Sequence, residues 1–138
     1  MKIEKIDHVA ILVKDVNKAE EFFSDLFEMR FAQLGEVKEV DARSIMEESG
    51  IEILEPLTPD GPTAKTLEKR GEGLTLLSLK VSNLDEAMAE MKAKGIRLVA
   101  EKHDNIRLAL YHPKDTYGVM IELIEYDAEH PLFNAIKK

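Results

Sequence analysis

The pattern of apolar and polar positions predicts the same series of elements twice along the chain. A strand is predicted over residues 3–13, and Asp15 can cap the helix that follows it. Further strands are predicted at 30–34, 37–46 and 51–55, with a turn at 48–50. The helix is predicted from apolar residues at three- and four-residue steps, which we expect in the core: Val16, Ala19, Phe22, Phe23, Leu26 and Phe27.

The second half of the chain repeats this order after a connector that contains Pro and Gly, at 56–62, and a short helix at 64–70. A strand is predicted at 74–81, and a helix capped by Asn83, with Glu86 at the capping-box position, ends before Gly95. Strands follow at 96–101, 106–111 and 119–126, with a turn at 112–115, and a short helix is predicted from Glu129. The predicted boundaries are about 1–56 for module one, 57–73 for the connector, 74–126 for module two and 127–138 for the tail.

The two halves are also similar residue by residue. Residues 8–19 align without gaps on 76–87, and 51–55 align on 121–125. The ends of the two halves carry matching glutamates, Glu52 and Glu122, whereas the starts carry His8 in one half and Leu76 in the other. The repeat therefore predicts two βαβββ modules that differ at one position.

Composition restricts the classes of function. The chain has 138 residues, 44% of them hydrophobic and 33% charged, which suits one folded domain. The net charge of −8 argues against broad binding to nucleic acid or to an anionic membrane. The chain has no cysteine, which excludes disulfides and thiolate catalysis, and no apolar run of membrane length, so a cytoplasmic location is expected.

Four stretches of the chain carry a resemblance to a known family, and they cover residues 6–10, 51–57, 69–74 and 107–122. In this order they resemble the vicinal oxygen chelate superfamily, which includes glyoxalases, bleomycin-resistance proteins and dioxygenases. Within it the chain is similar to the methylmalonyl-CoA epimerases. The resemblance implies an α+β, glyoxalase-like fold in which two tandem βαβββ modules form a cup-shaped, barrel-like mixed sheet.

The resemblance also implies an activity. We expect divalent-metal-assisted proton abstraction alpha to a carbonyl, through an enolate, on a small-molecule substrate such as an acyl-CoA. Two alternatives stay open: a glyoxalase-type lyase, and a non-catalytic, resistance-type binding protein with a degraded metal site. Members of the superfamily often pair modules between chains, so a homodimer is expected.

By position in the superfamily, the metal ligands are His8, Glu52, residue 76 and Glu122. Imidazole and carboxylates suit Co, Mn, Zn or Ni, but Leu76 cannot ligate a metal, so three ligands are left. From the residues alone, His8 could instead be a core histidine with a backbone partner, and both glutamates could face solvent.

The epimerase resemblance also suggests the acid–base and binding residues. Glu39 is the first candidate base, on a predicted strand face that it shares with Asp41 and Arg43. Glu122 is the candidate for the second base. The residues proposed to bind the substrate are Arg107, for a phosphate or carboxylate group, together with Thr75 and Leu76.

Overall fold

The computed structural model describes residues 1–127, and the helix predicted from Glu129 lies outside this range. Two βαβββ series are joined by one further helix, which confirms the α+β class and the repeat. The elements are β1 (Ile3–Leu12), α1 (Val16–Phe27), β2 (Phe31–Val37), β3 (Ala42–Glu47), β4 (Ile51–Pro56), α2 (Pro62–Arg70), β5 (Gly73–Val81), α3 (Leu84–Ala93), β6 (Leu98–His103), β7 (Arg107–Tyr111) and β8 (Met120–Glu125).

The chain divides into two compact units. In the described chain, the first unit contains residues 1–9 and 75–127, and the second contains residues 10–74. Strands in the first unit lie in the order β1, β5, β8, β7, β6, with β5 parallel to β8 and the last two pairs antiparallel. Its core forms where α3 packs on these strands, and the buried members are Val81, Leu84, Ala87, Met91, Ala109, Tyr111 and Leu123.

The second unit packs α1 against β3 and β4. Its buried core consists of Val13, Val16, Ile45 and Ile53, with Phe23 partly buried against it. The expectation that the whole apolar side of α1 is core was wrong at its outer residues. Phe22, Leu26 and Phe27 are more than half exposed, because an apolar stripe on a helix that lies on one face of a sheet is wider than the contact it makes.

Both helix starts form as the sequence predicts. The Asp15 carboxylate accepts hydrogen bonds from the backbone N–H groups of Asn17 and Lys18, and the Asn83 side chain accepts from the N–H of Glu86. These caps satisfy amides that a helix leaves without an internal partner. They fix where α1 follows β1 and where α3 follows β5.

The strand predicted over 37–46 is interrupted. Residues 38–40 form a 3-10 turn and Asp41 adopts a left-handed conformation with φ 48°, which Asp tolerates better than most residues. The connector holds this turn in place, because Leu57 N–H donates to the Asp41 carbonyl at 3.0 Å and Thr58 Oγ1 donates to its carboxylate at 2.8 Å. Gly61 completes what we call the Asp41 clamp, since its backbone lies against that carboxylate.

We expect Gly61→Ala to destabilise the protein through this clamp. A Cβ at residue 61 would clash with Asp41 Oδ2 and Thr58 Oγ1, so both side chains must shift and their hydrogen bond is disturbed. The expected loss in the free energy of unfolding is about 1–2 kcal/mol, measured by urea denaturation. In an Asp41→Gly background the same change should cost less; an equal cost in both backgrounds would contradict the clamp.

Candidate active site

His8 is held by its neighbour in the chain. Both Asp7 and His8 are buried near the middle of β1, where the strand passes from exposed to buried positions. His8 is 4% exposed, and its Nδ1 lies 2.6 Å from Asp7 Oδ2. A carboxylate at this distance favours the tautomer that carries its proton on Nδ1 and leaves Nε2 as an electron-pair donor. His8 thus has a carboxylate partner in Asp7, and Asp7 is a candidate for orienting the imidazole ring.

Glu122 on β8 faces the other nitrogen of the same ring. Its Oε1 lies 3.4 Å from His8 Nε2 and accepts a hydrogen bond of 2.7 Å from Ser78 Oγ on β5. The parallel pairing of β5 with β8 sets this contact, because Ser78 and Glu122 are register partners. Glu122 is 6% exposed, so it does not face solvent.

A tyrosine satisfies the second oxygen of Asp7. Tyr126 follows β8 directly, and its hydroxyl donates to Asp7 Oδ1. Burial, together with the neighbouring Asp7 carboxylate, raises the pKa of the Tyr126 phenol well above its ordinary value. The phenol therefore stays protonated as a donor at neutral pH.

Glu52 in the second unit has a matching environment. It is 7% exposed on β4 and accepts a hydrogen bond of 2.6 Å from Ser44 Oγ on β3. Each repeated glutamate therefore lies buried with a serine hydroxyl from another strand, and the alternative of a solvent-facing position is wrong for both. Such burial is typical of functional carboxylates, since an isolated one is costly.

Leu76 lies in the core at the position where the repeat leads one to expect a ligand. It is 3% exposed on β5, two residues before Ser78 and hence on the same face of the strand. Thr75 is partly buried on the opposite face. A leucine in place of the expected ligand therefore makes the first unit more apolar near the His8–Glu122 pair.

Glu39 lies on the 3-10 turn of residues 38–40 and not on a strand. The expected alternation of Glu39 with Asp41 and Arg43 on one strand face was wrong, because the turn changes the direction of the chain between them. Glu39 is partly buried, and the Asp41 clamp fixes the turn that carries it. Its role as a base stays a prediction.

Arg107 takes part in an ion-pair network of the first unit. Its Nη2 lies 2.7 Å from Asp85 Oδ1 and its Nη1 lies 3.3 Å from Glu125 Oε2. The guanidinium hydrogen bond lowers the pKa of the Asp85 carboxyl and raises that of Arg107. The proposed binding of a substrate phosphate by Arg107 stays a prediction, and it would compete with these carboxylates.

Several residues of the site were missed from the sequence. Asp7 could have been noticed as a carboxylate beside a candidate ligand, and Ser78 as a hydroxyl within an apolar strand. Ser44 and Tyr126 gave no comparable signal, because their partners lie 8 and 119 residues away along the chain.

The His8–Glu122 pair fits a divalent metal. Two donor atoms that are each about 2.1 Å from a tetrahedral metal lie about 3.4 Å apart, which is the Nε2–Oε1 separation here. The Asp7–His8 contact is the carboxylate–histidine arrangement that supports metal-binding imidazoles. Within residues 1–127, no three or more His, Asp or Glu side chains come together in a metal-binding group.

Residues 7–111 match the family model of the Glyoxalase/Bleomycin resistance protein/Dioxygenase superfamily. The chain belongs to this superfamily, as its sequence resemblance predicts.

Three relatives that are similar to this chain are named as methylmalonyl-CoA epimerases. The chain is 30% identical to human mitochondrial methylmalonyl-CoA epimerase over 128 residues, which cover 86% of this chain and 72% of that protein. The crystal structure of methylmalonyl-CoA epimerase from Mycobacterium tuberculosis is similar with a TM-score of 0.79 and 31% identity, and covers 91% of this chain and 90% of that one. A Streptomyces coelicolor methylmalonyl-CoA epimerase in complex with 2-nitronate-propionyl-CoA is similar with a TM-score of 0.80 and 26% identity. The match covers 92% of this chain and 100% of that one. These three relatives are named as epimerases, which are isomerases, and the expectation of an enzyme of this superfamily is confirmed.

Among residues 1–127, no helix has the length and apolar character that crossing a bilayer requires.

We expect Ser78→Ala to destabilise the protein at the candidate site. The change leaves the buried Glu122 carboxylate without the hydroxyl that donates to it at 2.7 Å, and should lower the free energy of unfolding by about 1–3 kcal/mol. Urea denaturation measures the change, with Ser82→Ala, an exposed serine just after the same strand, as the control. Equal stability of the two variants would contradict the importance of this bond.

Proposed function

We propose that this chain is a methylmalonyl-CoA epimerase, which interconverts the two epimers of a 2-methylmalonyl thioester. The observation that supports this most directly is the buried approach of His8 Nε2 to Glu122 Oε1 at 3.4 Å. His8 lies on the first strand of one module, and Glu122 lies on the last strand of the other. The relatives of known activity agree with the same reaction.

The reaction removes one proton from C2 and adds another to C2 from the opposite face. A base removes the proton from C2, which lies between the thioester and the carboxylate, and the electron pair of the C–H bond delocalises onto the thioester oxygen. A protonated group on the opposite face then returns a proton to C2, which gives the other epimer. Glu39 is the proposed base on one face and Glu122 the proposed partner on the other.

We propose His8, Glu52 and Glu122 as the ligands of a divalent metal, Co, Mn, Zn or Ni. Such a metal would supply Lewis-acid stabilisation for the negative charge on the substrate oxygens. Asp7 would orient His8 for this task, and the hydroxyls of Ser78 and Ser44 would orient the two glutamates.

Arg107, Thr75 and Leu76 are the proposed substrate-binding residues. Leu76 would present an apolar wall to the substrate, and Arg107 would have to exchange one of its carboxylate partners for a substrate group. We also propose a cytoplasmic homodimer, which rests on composition and on the resemblance to the superfamily.

Exchange of the C2 proton in deuterated buffer tests the reaction directly. With cobalt added, methylmalonyl-CoA should incorporate deuterium, and Glu39→Gln should slow the incorporation roughly 100-fold or more because it removes a base without changing its size. Glu36→Gln, at an exposed position on β2, is the matched control. The proposal fails if no divalent metal gives exchange above background; normal exchange by Glu39→Gln with each of the two separate epimers would exclude Glu39 as the base.

Burial of Leu76 favours a second candidate function, a binding protein that does not use a metal. A buried apolar residue in place of a fourth ligand suits a protein that only sequesters a small molecule. Metal analysis and calorimetry with cobalt separate the two functions, since stoichiometric binding that is lost in Glu122→Ala would count against the metal-free protein.

Under the epimerase proposal, Leu76→His should strengthen metal binding. The new imidazole would stand on the strand face of Ser78, which contacts Glu122, and a fourth ligand should raise the cobalt affinity roughly tenfold or more. Calorimetry measures the affinity, with Leu74→His, an exposed position on the same strand, as the control. An unchanged affinity in a folded Leu76→His variant would place the metal elsewhere.

A further inference from the structure

The two oxygens of the Asp7 carboxylate have different partners. Oδ2 lies 2.6 Å from His8 Nδ1, and Oδ1 accepts the hydroxyl proton of Tyr126. Rotation of the carboxylate would disturb both contacts at once. Because all three residues are less than 8% exposed, water cannot readily replace either one.

The Tyr126 ring is itself held by a cation. Lys80 Nζ lies 4.3 Å from the ring centre and 3.2 Å from Glu4 Oε2. An ammonium group over an aromatic face is an attractive contact. It comes from β5, whereas Asp7 comes from β1, so two strands fix the position of the phenol.

We propose that Tyr126 is a positioning residue for the metal site, which acts on His8 through Asp7. By fixing the carboxylate, the Tyr126 hydroxyl keeps the His8 proton on Nδ1 and directs the Nε2 electron pair towards Glu122. This inference rests on the proposed function for its metal, but the tautomer of His8 can be measured without one. This role of Tyr126 requires no change in the proposed ligands His8, Glu52 and Glu122.

Nitrogen-15 NMR of the metal-free protein tests the proposal. The wild-type signal of His8, assigned with His8→Gln, should show the Nδ1–H tautomer. Tyr126→Phe removes only the hydroxyl, and should raise the Nε2–H share roughly threefold or more, as expected when one weak hydrogen bond is lost. Tyr111→Phe, which makes the same change at another buried tyrosine of the first unit, should leave His8 unaltered.

Cobalt binding gives a second readout. Calorimetry should show a roughly tenfold weaker affinity for Tyr126→Phe, at the lower end of the effect of partners outside the ligand shell. The positioning role is overturned if wild-type His8 is the Nε2–H tautomer, or if Tyr126→Phe and Tyr111→Phe give the same tautomer and affinity. Should Tyr126→Phe not fold, rapid solvent exchange of the wild-type Tyr126 hydroxyl proton would overturn the role, and slow exchange would support it.

Failure of the proposed function is distinguishable from failure of this inference. A wild-type protein that binds no cobalt and exchanges no C2 proton refutes the epimerase, while the His8 tautomer in Tyr126→Phe still decides the role of Tyr126.

Discussion

The arrangement of this protein depends on the need to give every buried ionisable group a partner. An uncompensated charge inside a protein costs several kcal/mol, more than a single core contact returns. Asp7, His8 and Glu122 all lie below a tenth exposure, and each has a specific donor or acceptor in the first unit. The strands therefore carry polar side chains into an apolar interior at positions where a neighbouring side chain supplies a partner, such as Ser78 opposite Glu122.

The fold was largely predictable because its information is local and repeated. Periodicity and the caps at Asp15 and Asn83 specify the helices, and the repeat specifies the order of the strands. The 3-10 turn before Asp41 was not predictable, because no glycine or proline interrupts the strand predicted over residues 37–46. Its conformation depends on Thr58, 17 residues further along the chain.

The site was predictable only in part. Histidine and glutamate at repeated positions identified His8, Glu52 and Glu122 as candidates, but strand alternation alone could not decide whether the glutamates faced solvent. Register decided it: Ser78 is opposite Glu122, and Ser44 lies close enough to Glu52 for a short hydrogen bond. A serine in a strand carries no sign of its partner until the strands are paired.

The Asp41 clamp has a consequence for how this chain tolerates changes in length. The connector is tied at Leu57, Thr58 and Gly61 to the turn that carries Glu39, so adding or removing a residue there would move a proposed base. The bend at 104–105 between β6 and β7 is exposed. Insertions, such as an epitope or a reporter loop, therefore belong at that bend, and natural length variation should be rarer in the connector.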